Sequence, residues 1–120
     1  NDIRVEKYID KIIEVLPVRK ENQQRELLMV LQHVNLKEEH ISKVFDICVA
    51  IWSSLDKQPS VRFNAFRLMM KITKSYPELL HEVKLLTESH YIDTLSQGVK
   101  HSILKRINTP EKRKLKSVKK

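Results

Sequence analysis

Histidine and cysteine side chains are the residues of this sequence that could hold a metal ion, and their spacing argues against a metal site. The five histidines are His33, His40, His81, His90 and His101. Two ligands on one helical face stand three or four residues apart, and no two of these histidines do. His81-Glu82 begins like a zinc-protease helix, but Leu85 stands where the second histidine is required. Cys48 is the only cysteine, so we expect neither a disulfide framework nor a paired-cysteine metal site.

Catalytic motifs are also missing from the sequence. Gly98 is the only glycine, so no glycine-rich phosphate loop can form, and no serine lies in a nucleophile motif. Glu38 and Glu39 are explained as favourable charges in the first turn of a helix. Trp52 lies on an apolar stripe and is interpreted as core. We therefore predict no catalytic residues, no metal and no cofactor.

Cationic side chains near the C-terminus form the first candidate binding feature. Residues 100–120 hold nine basic residues and one acidic residue, which together equal the whole net charge of +8. The candidate binding residues there are Lys105, Arg106, Lys112, Arg113, Lys114 and Lys116. Such a run can bind polyanions without specificity, can act as a nuclear import signal in a eukaryote, or can serve only to solubilise the chain.

A second candidate feature is a cationic edge within residues 55–72 and just beyond. On a helical wheel Arg67, Lys71 and Lys74 cluster beside Phe63 and Met70. The edge could be a binding ridge. The alternative is an ordinary solvated face that flanks the core.

Composition predicts the elements that must position these side chains. The 120 residues are 41% hydrophobic and 32% charged, with one glycine and four prolines, which favours a soluble all-α protein. No apolar run approaches the roughly 18 residues of a membrane span. Hydrophobic periodicity predicts six helices, at about residues 2–16, 20–33, 37–55, 59–76, 77–87 and 96–108. We expect a repeat domain at residues 1–108 and a mobile basic tail at residues 109–120.

Each predicted helix carries an apolar stripe, and two serines are expected as N-caps. The caps are Ser60 and Ser96, and Asn108-Thr109-Pro110 should end the last helix. The expected inward residues of the first three helices are Val5, Ile9, Ile12, Leu16; Leu27, Leu28, Val30, Leu31; and Ile41, Val44, Cys48, Ile51, Leu55. Those of the fifth and sixth helices are Leu79, Leu80, Val83, Leu86; and Val99, Ile103, Leu104, Ile107.

The second helix of each successive pair repeats its inward face after 38 residues. Adding 38 takes Leu27 to Ala65 to Ile103, and likewise Leu28 to Phe66 to Leu104 and Leu31 to Met69 to Ile107. A fixed period of this length is typical of a stack of helix pairs. Ala65, the smallest of its set, is expected at a tight approach of two helices.

The stretch Leu55–Ile72, "LDKQPSVRFNAFRLMMKI", resembles the second half of a HEAT repeat. Asp56, Pro59, Val61, Arg62, Ala65 and Met69 fill the positions of that pattern. The resemblance implies a right-handed α-α superhelix of about three antiparallel helix pairs, with Asp56 and Arg62 as a structural pair. The first pair departs from the pattern with Val18 and Gln24, and the third with Thr94.

Two functions follow as hypotheses. The first is a non-catalytic interaction or scaffold module that presents its helical-repeat surface to a protein partner. The alternative is a protein that binds nucleic acid or another polyanion through the C-terminal basic segment and the Arg67, Lys71 and Lys74 edge. The expected location is the cytoplasm, or the nucleus in a eukaryote.

Overall fold

A computed structural model describes residues 3–119, with side chains from residue 4 to residue 108. This part of the chain contains seven α-helices: α1 (Ile3–Val15), α2 (Glu21–Leu31), α3 (Glu38–Ser53), α4 (Pro59–Ser75), α5 (Leu80–Leu85), α6 (Ser89–Ile92) and α7 (Gln97–Lys119). Turns of 3₁₀ helix at Leu16–Val18 and Pro77–Leu79 precede α2 and α5. The chain divides into two compact units, Asn1–Ile72 and Thr73–Lys120.

The first helix pair, α1 and α2, is held by an apolar seam. Ile9, Ile12 and Leu16 are buried as the periodicity predicts, and Ile13 joins them. Pro17 cannot continue the α-helix, so the chain tightens into the 3₁₀ turn and reverses into α2.

Some positions predicted to face inward in the first pair do not. Val5 lies in the first turn of α1 and is exposed. Leu27 and Val30 are half-buried, whereas Leu28 and Leu31 are fully buried. The wheel alone did not separate the centre of the apolar stripe from its flank.

The second helix pair, α3 and α4, has a core that contains the largest buried aromatic side chains of the described residues. Trp52 is fully buried, which confirms its interpretation as core, and its ring lies 5.4 Å from that of Phe66. Cys48 is fully buried on the same stripe of α3. Ala65 is fully buried, as predicted. Leu55 is exposed, because α3 ends at Ser53 and leaves it in the turn.

The two pairs stack with like helices side by side and parallel. Near the start of α2, the Glu21 carboxylate accepts the backbone N–H of Gln58 at the start of α4, a separation of 37 residues. At the other end of α2, Lys71 donates to the carbonyl of Val34, again 37 residues away. Equal separations at both ends mean that α2 and α4 run in the same direction, as the 38-residue period predicts.

The first helices of the two pairs are parallel as well. Lys37 pairs with Glu6, and His40 lies 3.0 Å from Asp10, at separations of 31 and 30 residues. These offsets are shorter than the 38-residue period of the second helices.

Helix ends differ from prediction at three places. Pro59, whose φ suits the first helical position, begins α4, so Ser60 is not the N-cap. Ser96, in contrast, is an N-cap as predicted, since its Oγ accepts the backbone N–H of Val99 at 3.3 Å. The predicted loop after residue 87 contains the short helix α6. The predicted stop at Asn108 is wrong, since α7 continues through Pro110 to Lys119; lysine, arginine and glutamate are good helix formers.

The second unit buries Val83, Leu86, Ile92, Ile103 and Ile107. Leu104, predicted to face inward, is instead exposed. The mobility expected for residues 109–120 stays a prediction. The side chains of these residues lie outside the described part of the chain.

Candidate protein-interaction surface

Helix α4 is buried on most of its circumference and exposes one narrow strip. Ser60 and Arg67 are exposed along it, and Phe63 between them is half-buried. Met29 on α2 is the repeat equivalent of Arg67 and is also exposed. We call these four residues the α2–α4 surface. Lys74 is exposed in the last turn of α4.

The aromatic ring of the surface is fixed from below. Phe63 stacks on Phe66, with ring centroids 6.4 Å apart and planes 13° from parallel. Phe66 in turn lies against Trp52. The half-exposed ring therefore stands on a buried aromatic cluster that holds its orientation.

Arg62 lies beside this strip but faces the interior. Its side chain is 1% exposed, its Nε donates to the carbonyl of Trp52 at 2.8 Å, and its guanidinium lies 4.5 Å from the centre of the Trp52 ring. The last carbonyls of a helix have no partner within the helix, and Trp52 is in the last turn of α3. Arg62 therefore caps α3 from the next helix and stacks on the same residue that it caps.

The predicted pairing of Arg62 with Asp56 stays a prediction. Asp56 is exposed in the turn before α4, and the contacts described for Arg62 are those with Trp52. Burial lowers the pKa of the guanidinium, which still remains charged at neutral pH.

Gln24 performs the same task in the first pair. It stands 38 residues before Arg62, is 2% exposed, and donates from Nε2 to the carbonyl of Leu16 at 2.9 Å. Its Oε1 accepts from Lys57 Nζ at 3.2 Å. The sequence comparison treated Gln24 as a departure from the repeat pattern, whereas the structure shows an equivalent cap made by a neutral side chain.

Lys71, a predicted binding residue, is engaged by the protein itself. Its Nζ donates to the carbonyls of Gln32 at 2.8 Å and Val34 at 2.6 Å, with Leu31 at 3.4 Å. These carbonyls lie at and just beyond the C-terminal end of α2, where a cation is favoured. Burial lowers the pKa of the ammonium group. Lys71 is therefore a helix cap, and its ammonium is not displayed for a partner.

Met70 is a second correction among the predicted binding residues. It is buried, because the exposed strip of α4 is narrower than the wheel suggested. Lys105 and Arg106 are exposed on α7. The side chains of Lys112, Arg113, Lys114 and Lys116 lie outside the described residues.

A polar seam between α1 and α3 was missed by sequence reasoning. The buried ring of His40 accepts the backbone N–H of Lys37 on Nδ1, so its neutral form carries the proton on Nε2 and donates it to Asp10. Lys37 pairs with Glu6 one turn away. Residues about 30 apart give no local signal for such a pairing.

Within the described residues, no group of three or more His, Cys, Asp or Glu side chains is placed to hold a metal ion. No helix of that part is long and apolar enough to cross a bilayer. Every buried side-chain nitrogen or oxygen of the described residues has a hydrogen-bond partner.

Comparison with known proteins gives one match. A family model described as a HEAT repeat domain matches residues 3–109, nearly the whole chain. No curated protein and no solved structure matches it. The match agrees with the parallel stacking of α1 on α3 and of α2 on α4.

Proposed function

The chain belongs to the HEAT repeat domain family, an all-α fold built as a helical-repeat superhelix, and on that premise we propose that it is a non-catalytic interaction module. We propose further that its α2–α4 surface binds an acidic, partly apolar segment of a protein partner. Helical-repeat stacks commonly serve as protein-interaction scaffolds through such extended surfaces.

One observation carries the proposal. Two other cations of α4 are used internally, since Arg62 caps α3 and Lys71 caps α2, and Lys74 is exposed in the last turn of the helix. Arg67 is exposed beside Phe63 and has no hydrogen bond or ion pair to another described residue. An arginine beside a rigid, half-exposed phenylalanine supplies the aromatic and Arg anchors typical of protein interfaces.

The chemistry of the surface indicates the partner. Arg67 can bind a carboxylate in a bidentate manner, and Phe63 and Met29 offer apolar area on either side of it. Methionine adapts its shape to different partners. A segment with acidic residues spaced by leucine or phenylalanine complements all three side chains.

Titration of a labelled acidic-leucine peptide, followed by fluorescence anisotropy, tests the proposal. We expect saturable binding that Arg67→Glu weakens at least about tenfold, because charge reversal replaces attraction with repulsion at a central anchor. Phe63→Ala should weaken it as well. Lys43→Glu is the matched control: Lys43 is exposed on α3, away from the surface, and carries the same charge change.

Equal losses in Arg67→Glu and Lys43→Glu would mean that the peptide senses only net charge, and the proposed surface would be wrong. Duplex and single-stranded DNA probes test the nucleic-acid alternative. Tighter binding of DNA than of the peptide, with a steep dependence on salt, would favour that alternative. A variant lacking residues 109–120 then shows how much of either affinity the basic segment supplies.

A further inference from the structure

Arg25 is a cation of α2 that sequence reasoning did not single out, and it lies beside the contact of α2 with α4. Glu21, one turn before it, accepts the backbone N–H of Gln58 at 2.8 Å. Gln32, two turns after it, donates to the side-chain oxygen of Asn64 at 3.0 Å. Residues four and seven apart share one side of a helix, so the half-buried Arg25 lies on the flank of α2 that faces α4.

The usual ion-pair partner of Arg25 within its own helix is turned elsewhere. A glutamate four residues before an arginine is well placed to pair with it, and Glu21 stands there. Its carboxylate instead accepts the Gln58 N–H, and Arg25 has no hydrogen bond or ion pair to another described residue. Glu26, the other acid of α2, is the next residue along the chain, and neighbouring residues of a helix do not face each other. The guanidinium of Arg25 therefore has no carboxylate partner among the described residues.

Arg67 on α4 has the same two properties. It lies three residues after Asn64 and four before Lys71, and both of these bond to Gln32 at the end of α2, at 3.0 Å and 2.8 Å. α4 contains no acidic residue from Pro59 to Ser75, and the exposed Arg67 has no hydrogen bond or ion pair to another described residue. Both arginines therefore border the same line of contact between two helices, and neither has a carboxylate partner there.

The register of the two helices sets the separation of the two arginines. Contacts at both ends of α2 join residues 37 apart, so Arg25 is level with Arg62, one turn and a little more before Arg67. With helix axes roughly 8–10 Å apart and a rise of roughly 7.5 Å, the two Cα atoms are separated by roughly 11–13 Å. Two residues four apart on an extended chain lie on one side of it and span roughly 13 Å. One short segment can therefore meet both arginines.

We infer that Arg25 is a second anchor of the proposed interaction, and that the partner segment carries two carboxylates, one for Arg25 and one for Arg67. The inference rests on the proposed function. Each arginine has an apolar neighbour one turn away, since Met29 follows Arg25 and is exposed. Phe63 precedes Arg67 and is half-buried. A peptide supplies carboxylates and apolar side chains together, which favours it over a uniformly charged polymer.

A double-mutant cycle between the protein and a peptide tests the inference. The probe is a labelled acidic-leucine peptide whose only two glutamates are four residues apart, and in two further peptides one or the other glutamate is replaced by glutamine. Arg25→Gln and Arg67→Gln should each weaken binding of the two-glutamate peptide at least about fivefold. Each variant should have little further effect on one of the single-glutamate peptides, because the carboxylate that its arginine binds is already gone. The insensitive peptide should differ between the two variants.

The outcomes separate this inference from the proposed function. If Arg67→Gln weakens binding and Arg25→Gln does not, the second anchor is wrong and the α2–α4 surface stands. If both arginines couple to the same glutamate, the assignment of one carboxylate to each arginine is wrong. If the two-glutamate peptide does not bind at all, both proposals are wrong.

Arg19→Gln is the matched control, because Arg19 is exposed in the turn before α2 and its substitution makes the same charge change. It should leave the affinity unchanged. A loss equal to that of Arg25→Gln would mean that the peptide senses only net charge, and would overturn the inference. Arg25→Lys keeps the charge and loses the planar guanidinium, so it should retain more affinity than Arg25→Gln. Equal losses in these two variants would show that the peptide does not bind the charge of Arg25.

Discussion

The first and second helix pairs cap the end of their first helix with different side chains. In each pair, a buried residue of the second helix donates a hydrogen bond to a carbonyl at the end of the first helix. Gln24 does so to Leu16, and Arg62 to Trp52. The two residues are 38 apart, so they occupy one position of the repeat.

The difference between them teaches what that position requires. A neutral amide and a charged guanidinium both serve, so a buried hydrogen-bond donor is needed and a positive charge is not. The charge of Arg62 is accommodated because its guanidinium lies on the Trp52 ring, whereas Gln24 has a polar neighbour in Lys57. The second pair should therefore suffer more when its donor is removed.

Arg62→Met should have the largest effect among the substitutions that test this comparison. It removes a charged hydrogen-bond donor and the contact with the indole ring, so we expect a loss of about 2–4 kcal/mol in the free energy of unfolding. Urea denaturation measures it. Arg62→Gln, which copies the cap of the first pair, should lose less than Arg62→Met. Equal losses would show that Arg62 acts through its ring contact alone.

Ala65→Leu examines a position where the pairs differ in coverage. Ala65 is fully buried, so the added carbons should cost about 1–3 kcal/mol and lower the thermal midpoint. Leu27→Ala at the equivalent, half-buried position should cost less than a typical core truncation. An unchanged midpoint in Ala65→Leu would contradict the tight approach of two helices predicted at Ala65.

Gln24→Leu tests the cap of the first pair. The apolar side chain fills most of the volume but removes the shorter of two hydrogen bonds to the Leu16 carbonyl, which keeps the backbone N–H of Arg19 at 3.4 Å. We therefore expect a loss of about 0.5–1.5 kcal/mol in the free energy of unfolding. The measurement is again urea denaturation, with Gln23→Leu as the control because Gln23 is exposed. A neutral result in Gln24→Leu would mean that water replaces the donor and that the cap contributes nothing.

The smallest effect concerns the ammonium of Lys71. Its pKa is below the ordinary 10.5 in the folded state, because burial disfavours the charged form. The unfolded chain thus binds more protons in the window just below pH 10.5, and stability should rise slightly as pH increases through it. Below the pKa of Lys71 in the folded state, this gain in stability is absent. The stability of Lys71→Met should lack that rise, and His33→Ala, at the exposed equivalent position, should retain it.

The repeat architecture could be predicted because it produces a periodic pattern of apolar residues in the sequence. Burial of Trp52, Ala65 and Cys48, the cap at Ser96 and the HEAT resemblance follow from stripes, turn residues and a fixed period. The first five predicted helices also begin close to the observed positions, since prolines and polar turns mark their boundaries.

The identity of the surface could not be predicted in the same way. A helical wheel places Lys71 and Arg67 on one edge, but only the path of α2 determines that Lys71 meets three carbonyls while Arg67 remains exposed. Equally, the wheel places Leu104 with Phe66, and only the neighbouring elements determine which one is covered. Both questions depend on contacts across 30 or more residues of sequence.

Alkylation of Cys48 can measure the rate at which the second helix pair opens. The thiol is fully buried, and burial raises its pKa, so both access and ionisation suppress its reaction with alkylating reagents in the native state. Since it is the only cysteine, every alkylation event reports the opening of α3. The labelling rate therefore measures how often this helix leaves the stack, and a bound partner that clamps the pair should slow it.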